Sequence, residues 1–533
     1  IKDRLGEGKS LGNLGSAYDA LGNYDKAIAY QEQSLTIARE IKDRRGEGNA
    51  LGNLGSAYRS LGNYGKAIEY HEQSLAIKRE IKDRRGEETA LGSLGLAYGI
   101  LGNYSKAIEY HEQSLAIARE IKDRLGEGIS LNNLGVALFK SGNLTAAAKT
   151  LMESIVTWEA LRQTGAGNDA NKVSIFEQQA RTYRTLQKVL VAQNQPDVAL
   201  EIAERGRARA FVELLAQRLA TDKVTDETDQ PGGVLSNPAS VSSALESAAK
   251  PPTIQQIQQI AKAQNATLVQ YSVLYDEFKI QGKEESRQSE LYLWLIQPNG
   301  AVTFRKADLT SLWQQQNTNL TTLVEQSREE IGARGRSDVT VALSPEQLKQ
   351  QQEQQTRNLK QLHQLLIEPI ADLLPKDPNQ RVIFMPQGEL FLVPFPALLD
   401  ANNTALIEQH TILTAPSIQV LELTRQQRQA NKSQQSGVNQ VLIVGNPTMP
   451  KVVTQLGDEP EQLSNLPGAK QEALTIAKLF NTQAMIGQQA TERAIVQQMP
   501  NARIIHLATH GLLDDVKGLG VPGAIALAPS GNG

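Results

Sequence analysis

Leu14-Gly15-Ser16-Ala17-Tyr18 returns as Leu54-Gly55-Ser56-Ala57-Tyr58, then as Leu94-Gly95-Leu96-Ala97-Tyr98, and in part as Leu134-Gly135-Val136-Ala137. The step is 40 residues each time. Leu21-Gly22-Asn23-Tyr24 repeats in phase with it and decays to Ser141-Gly142-Asn143-Leu144. A fixed period of this length is the mark of stacked supersecondary units. Each unit reads as two helices. The first, from about Ser10 to Leu21, places Leu11, Leu14, Ala17, Tyr18 and Leu21 at helical spacing. Gly22-Asn23 supplies the turn. The second begins near Tyr24 and carries Ala27, Ile28, Leu35 and Ile37. Gly15 and Ala27 are small enough to let the two helices approach closely. Such a hairpin cannot bury its apolar face alone, so its neighbours must stack into a solenoid.

The repeat resembles the tetratricopeptide repeat, in the 40-residue form of kinesin-light-chain-like arrays, with Ile41 to Glu47 as its tail. The resemblance implies partner binding on the concave face. The polar first-helix residues Asn13, Asn53 and Asn133 would line that groove, with Ser93 breaking the series. His71 and His111 stand 40 residues apart at equivalent positions, as repeat residues and not metal ligands. Gly8-Lys9-Ser10 imitates the end of a phosphate loop, but Asp3 stands where that motif needs glycine.

Composition sets further bounds. A chain of 533 residues has room for two or three domains. Its net charge of −3 gives no electrostatic case for nucleic acid or an anionic membrane. No apolar run approaches the roughly 18 residues of a membrane span. Cysteine is absent, which excludes disulfides, thiolate metal sites and a thiol nucleophile within these residues. No cofactor is implied, and the six histidines lack the companions of a metal centre. The chain opens on Ile1, and Ile1 to Gly8 matches Ile41 to Gly48, so an earlier repeat is expected to precede it.

Four segments follow from these patterns. Residues 1–162 are the repeat array, and 163–220 a degenerate helical hairpin that bridges it. Residues 221–252, rich in Thr, Asp, Ser, Pro and Gly, are a flexible linker. In the hairpin, Arg205, Arg207 and Arg209 read as a solvated face partnered by Glu201, Glu204 and Glu213. From 253 to 533, strands alternate with helices. Arg381–Met385, Val441–Val444 and Arg503–Leu507 suit buried parallel strands of one α/β sandwich.

Several phrases of this last segment resemble the CHAT domain, a caspase-like module named for its association with tetratricopeptide repeats. They include Met385-Pro386-Gln387-Gly388, Ala415-Pro416-Ser417, Val444-Gly445-Asn446-Pro447, Leu466-Pro467-Gly468-Ala469 and His506-Leu507-Ala508-Thr509-His510-Gly511. The fold class expected is therefore multidomain: an all-α tetratricopeptide-repeat solenoid followed by an α/β caspase-like domain, incomplete at its C-terminus. The resemblance implies a cysteine endopeptidase of the caspase and separase clan, with His510 as catalytic histidine and the Gly511 N–H as an oxyanion donor; His506 is structural. Caspases place the cysteine about 50 residues after the histidine, and only 23 residues follow His510. Truncation is thus the expected reason for the missing thiol. As it stands, the polypeptide is expected to be inactive. The alternative is a non-catalytic scaffold with an inactive caspase-like domain. By resemblance to filamentous and other cyanobacterial proteins, a bacterial cytoplasmic setting is expected.

Overall fold

The computed structural model describes residues 3–163, 169–207, 250–280, 283–330, 345–432, 440–452, 459–512 and 524–529. The chain forms two compact units, Ile1–Arg425 and Gln426–Gly533.

The first unit opens with helices α1 (Arg4–Ala20), α2 (Tyr24–Glu40), α3 (Arg44–Ser60), α4 (Tyr64–Glu80), α5 (Arg84–Ile100), α6 (Tyr104–Glu120), α7 (Arg124–Lys140) and α8 (Leu144–Gln163). Within a hairpin the chain turns at Gly22, Gly62, Gly102 and Gly142, all left-handed, and Asn23 caps α2 by accepting from the Lys26 N–H. Between hairpins it turns at Lys42, Lys82 and Lys122, also left-handed. Asp43 then caps α3 through the Gly46 N–H at 3.0 Å. The first helix of each pair therefore starts six residues earlier than the apolar periodicity alone indicates. The repeat's tail, Ile41–Glu47, is a turn, a cap and the first turn of the next helix. It is polar because it lies at a hairpin junction, where Arg44 bonds both Glu47 and Glu80.

Each interface buries its own aliphatic side chains: Leu35, Leu51, Leu54 and Ile77 in one, Leu75, Leu91, Leu94 and Ile117 in the next. A fully buried leucine contributes roughly 1.5–3 kcal/mol. The buried Ser34, Ser74, Ser114 and Ser154 hydroxyls each donate to a carbonyl 26 residues earlier, so no polar cost accompanies them.

Helices α9 (Asp169–Ala192) and α10 (Pro196–Arg205) form a further hairpin. Its arginines are not a solvated face. Arg205 pairs with Glu159 at 2.6 Å, and Arg207 is buried, donating to the carbonyls of Met385 at 3.0 Å and Pro386 at 2.7 Å. Glu204, also buried, accepts from the Gln419 N–H at 2.7 Å. Sequence periodicity shows no partner so distant in the chain. Arg209 and Glu213 lie outside the described residues, as does the expected linker up to residue 249.

The hairpin covers a sheet. After α11 (Ile254–Gln264) come β1 (Ala266–Ile280), β2 (Lys283–Ile296) and β3 (Val302–Asp308), then α12 (Thr310–Gln315), α13 (Leu320–Glu330) and α14 (Pro345–Leu366). β4 (Arg381–Met385), α15 (Leu406–Gln409), β5 (Thr411–Thr414) and α16 (Ile418–Lys432) follow. The order is β3-β2-β1-β4-β5. β1 runs antiparallel to β2 and parallel to β4. Alternate residues serve opposite faces. Tyr271, Leu293 and Phe384 join the core under α13 and α14. Trp294, Ile383 and Met385 share one core with Leu186 and Leu200 of the hairpin and Leu131, Leu134 and Leu151 of the repeats.

The second unit holds β6 (Gln440–Pro447), β7 (Lys451–Val452), β8 (Glu461–Gln462), α17 (Pro467–Leu479), β9 (Ala484–Gly487), α18 (Glu492–Gln498), β10 (Ala502–Ala508), β11 (Gly511–Leu512) and β12 (Ala524–Ile525). β10, β6 and β9 make a parallel three-stranded sheet. The three apolar runs assigned to one sandwich thus belong to two sheets: β4 in the first unit, β6 and β10 in the second.

Candidate functional site

His510 lies two residues past the end of β10, whose Ala508 pairs with Gly445 of β6. Both strands are parallel, so this is their carboxyl edge, where α/β sheets place their ligands. Gly445 makes the edge possible. A Cβ there would overlap Ala473 and the Ala469 carbonyl, because α17 crosses β6 in direct contact. Asn446 then turns left-handed, with φ +44°, and its Oδ1 accepts from the Leu466 N–H at 2.7 Å. That bond anchors the segment ahead of α17, which carries Ser464.

The Ser464 carbonyl lies 2.8 Å from His510 Nε2. A carbonyl only accepts, so Nε2 carries the hydrogen and Nδ1 is left as the basic nitrogen of the neutral ring. The backbone on either side is held too. Thr509 Oγ1 donates to the Ala526 carbonyl at 2.7 Å, and the Ala526 N–H donates to the His510 carbonyl at 2.9 Å. This bond makes Gly511 and Ile525 a non-hydrogen-bonded pair of the β11–β12 ladder, so the Gly511 N–H points away from Ile525. A Cβ on Gly511 would meet nothing within 4 Å, so local packing does not demand glycine there.

His506 sits within β10, opposite Ile443. Its Nε2 is 3.1 Å from Glu472 Oε1, yet the alignment is too poor for a hydrogen bond. The contact is an ion pair only when the ring is charged. Among the described residues no group of three or more His, Cys, Asp or Glu side chains could hold a metal. No helix among them is long and apolar enough to cross a membrane.

In the array, Asn13 and Asn53 are exposed and line one cleft of about 160 Å³, with Gly12, Ser16, Asp43 and Asn49. Asn133 is half-buried beside Asn132, whose Nδ2 lies 3.3 Å from its Oδ1. Asn132 in turn accepts from Thr182 of α9, so the fourth repeat has a helix near it that the first two lack. Ser93 is half-buried. His71 and His111 are buried against Gly55 and Gly95, where Gln31 fills the same place against Gly15. Burial pushes both histidines down to about 4.

Sequence reasoning missed Ser464, which acts through its backbone and leaves no side-chain signal. It also missed Asp43, whose cleft becomes visible only once the hairpins are stacked.

Stacked helical hairpins leading into α/β sheets with a histidine at a parallel strand end define a repeat protein with an appended α/β domain. Family comparison names both parts. Residues 7–80 and 86–155 match the tetratricopeptide repeat, and residues 356–530 match the CHAT domain. The chain is a tetratricopeptide-repeat protein carrying a CHAT domain. Tetratricopeptide repeat protein 28 of Mus musculus is 27% identical over 441 residues, covering 69% of this chain and 17% of that protein. The Homo sapiens protein of the same name gives the same figures. The chain thus spans about a sixth of those relatives' length. Among solved structures, a putative kinesin light chain from Podosopora anserina with TPR-like repeats is 20% identical, covering 36% of this chain and 90% of that one, with TM-score 0.30. BtubC from P. vanneervenii is 19% identical, covering 44% and 88%, with TM-score 0.34.

Proposed function

We propose that the repeats bind a protein or peptide on their concave face, through Asn13, Asn53 and Asn133, and that the CHAT domain supplies the histidine side of a cysteine endopeptidase. The array would direct or restrain the protease. The bond from His510 Nε2 to Ser464 supports this reading most directly, because it leaves Nδ1 as the base. In the reaction Nδ1 takes the thiol proton, and sulfur attacks the peptide carbonyl carbon. The Gly511 N–H receives the oxyanion. The Nε2–H stays on the Ser464 carbonyl and steadies the imidazolium. His510 then returns the proton to the leaving amine as the C–N bond breaks.

The 533 residues contain no cysteine, so this reading requires a thiol from outside them. The coding sequence is read past Gly533, and the polypeptide it specifies is assayed for peptide hydrolysis. Expected are a cysteine at a strand end and activity lost in its alanine variant and in His510→Ala. A frame with no such cysteine leaves the scaffold reading: a partner-binding array on a silent caspase-like domain. Affinity capture with wild-type and Asn13→Ala/Asn53→Ala chains tests the groove, and equal capture would sink it.

A further inference from the structure

We propose that the cleft between the first two hairpins is a slot for a lysine side chain of the bound protein. The chain contains three comparable stacked interfaces. Each is closed by an aspartate that caps the next helix: Asp43, Asp83 and Asp123. In the second interface Lys78 enters from α4, and its Nζ lies 3.0 Å from Asp83 Oδ2 and 2.5 Å from Asn49 Oδ1. Its stem lies on Gly86, where an added Cβ would fall 2.5 Å from Lys78 Cδ. In the third interface Arg85 pairs with Asp123 at 2.6 Å, and the Glu88 side chain fills the space against Gly126.

The first interface has the receptor without the occupant. Ala38 stands where Lys78 stands, Leu5 where Arg85 stands, and Gly8 where Glu88 stands. Asp43 Oδ1 accepts from Gly46, as its counterparts do from Gly86 and Gly126. Among the described residues no cation lies within ion-pair distance of Asp43. The space left is about 160 Å³, lined by Gly8, Ala38, Asp43 and Gly46. One water needs only about 10–15 Å³. Asn13 and Asn53 line the same space, so the slot opens onto the proposed partner groove. Lys78 shows in the adjacent interface what such a receptor takes: an alkyl stem on glycine and an ammonium on the capping carboxylate. Lys9 occupies the position of Asn49 and lines the cleft; its exposed head forms no ion pair with Asp43.

The inference rests on the reading of the array as a partner-binding surface. The probe is the peptide acetyl-Gly-Gly-Lys-Gly-Gly-amide, with norleucine in place of lysine as control. It is titrated into the full chain while backbone amide resonances are followed. The lysine peptide is expected to shift Gly8 and Gly46 saturably, and the norleucine peptide to leave them unmoved. Asp43→Asn keeps the cap and should weaken the response about tenfold or more. Lys9→Asn should tighten it. Lys9→Asn/Ala38→Lys, which rebuilds the second interface, should abolish it and raise the thermal midpoint. Equal shifts with norleucine, or no effect of Asp43→Asn, overturn the slot. So does a response seen only in Lys9→Asn, which would make Lys9 the occupant. Butylammonium binding as tightly as the peptide would assign the slot to a small amine and overturn a protein occupant. If the slot fails while Asn13→Ala/Asn53→Ala still releases a captured partner, the array reading stands without it.

Discussion

His510 Nε2 and the Ser464 carbonyl oxygen, 46 residues apart in sequence, meet at 2.8 Å at the carboxyl edge of the parallel sheet. The pairing determines which ring nitrogen is free, and it does so before any substrate arrives. The neutral His510 ring is therefore expected as the Nε2–H tautomer. Nitrogen-15 chemical shifts of the imidazole, assigned by comparison with His510→Gln, read this directly. A predominantly Nδ1–H ring would remove the base that the proposed mechanism needs.

Buried histidines in the array should govern part of its acid stability. His71 and His111 are held to about 4 by burial, below the usual 6.5. The folded state thus binds fewer protons than the unfolded state between those values. Their contribution is complete above about pH 6.5 and is lost as pH falls toward 4, by up to about 3 kcal/mol each. The first repeat supplies the control, since Gln31 occupies this position without titrating. His71→Gln/His111→Gln should be within about 1.5 kcal/mol of wild type at pH 7 and lose much of the decline from pH 6.5 to 4 in urea midpoints. An unchanged pH profile would refute this account.

The glycines facing those rings make a companion prediction. A Cβ on Gly95 would lie 2.5 Å from His111 Cε1, and one on Gly55 would lie 2.7 Å from His71. Both rings are buried, so Gly95→Ala should cost about 1–3 kcal/mol through overpacking. Gly65→Ala, where nothing lies within 4 Å, is the matched control and should not destabilise. Equal midpoints for the two variants would refute close packing at Gly95.

Much of the array was legible because its period repeats glycine and leucine together. The helix starts were not, since Asp43 and Arg44 read as polar tail until the capping bond to Gly46 is seen. Strands β4, β6 and β10 announced themselves through the apolar runs Arg381–Met385, Val441–Val444 and Arg503–Leu507. β5 and β9 are four residues each and partly exposed, which leaves little apolar signal. His510 was visible as a His-Gly phrase. Its orienting carbonyl and the contacts of Arg207 were not, because both depend on backbone atoms of distant segments.

Arg207 and Glu204 tie α10 to the sheet unit. Burial pushes the Arg207 guanidinium down to about 10 and the Glu204 carboxyl up. Removing one charge strands the other, at about 3–5 kcal/mol. Arg207→Met should therefore destabilise the first unit strongly, and Glu204→Gln/Arg207→Met should recover part of the loss. Urea midpoints of wild type, Glu204→Gln, Arg207→Met and the double variant form the cycle. A double variant no more stable than Arg207→Met would show that the carbonyl contacts at Met385 and Pro386, not the charge pair, carry the cost.

Glu88 should oppose the histidines. It stands where other repeats have Gly8, Gly48 and Gly128, and it is buried against α7. Burial and the neighbouring Asp123 carboxylate raise its pKa to about 7, with Arg85 acting in the opposite direction. Between about 4.5 and 7 the folded state binds more protons than the unfolded state, so stability falls as pH rises. Glu88→Gln keeps the shape and cannot ionise. It should gain on wild type progressively across that window and run parallel to it below about pH 4.5. The comparison is made in the His71→Gln/His111→Gln background, where the larger opposing slope is gone. A constant offset between the two chains from pH 4 to 8 would mean that Glu88 is already ionised throughout.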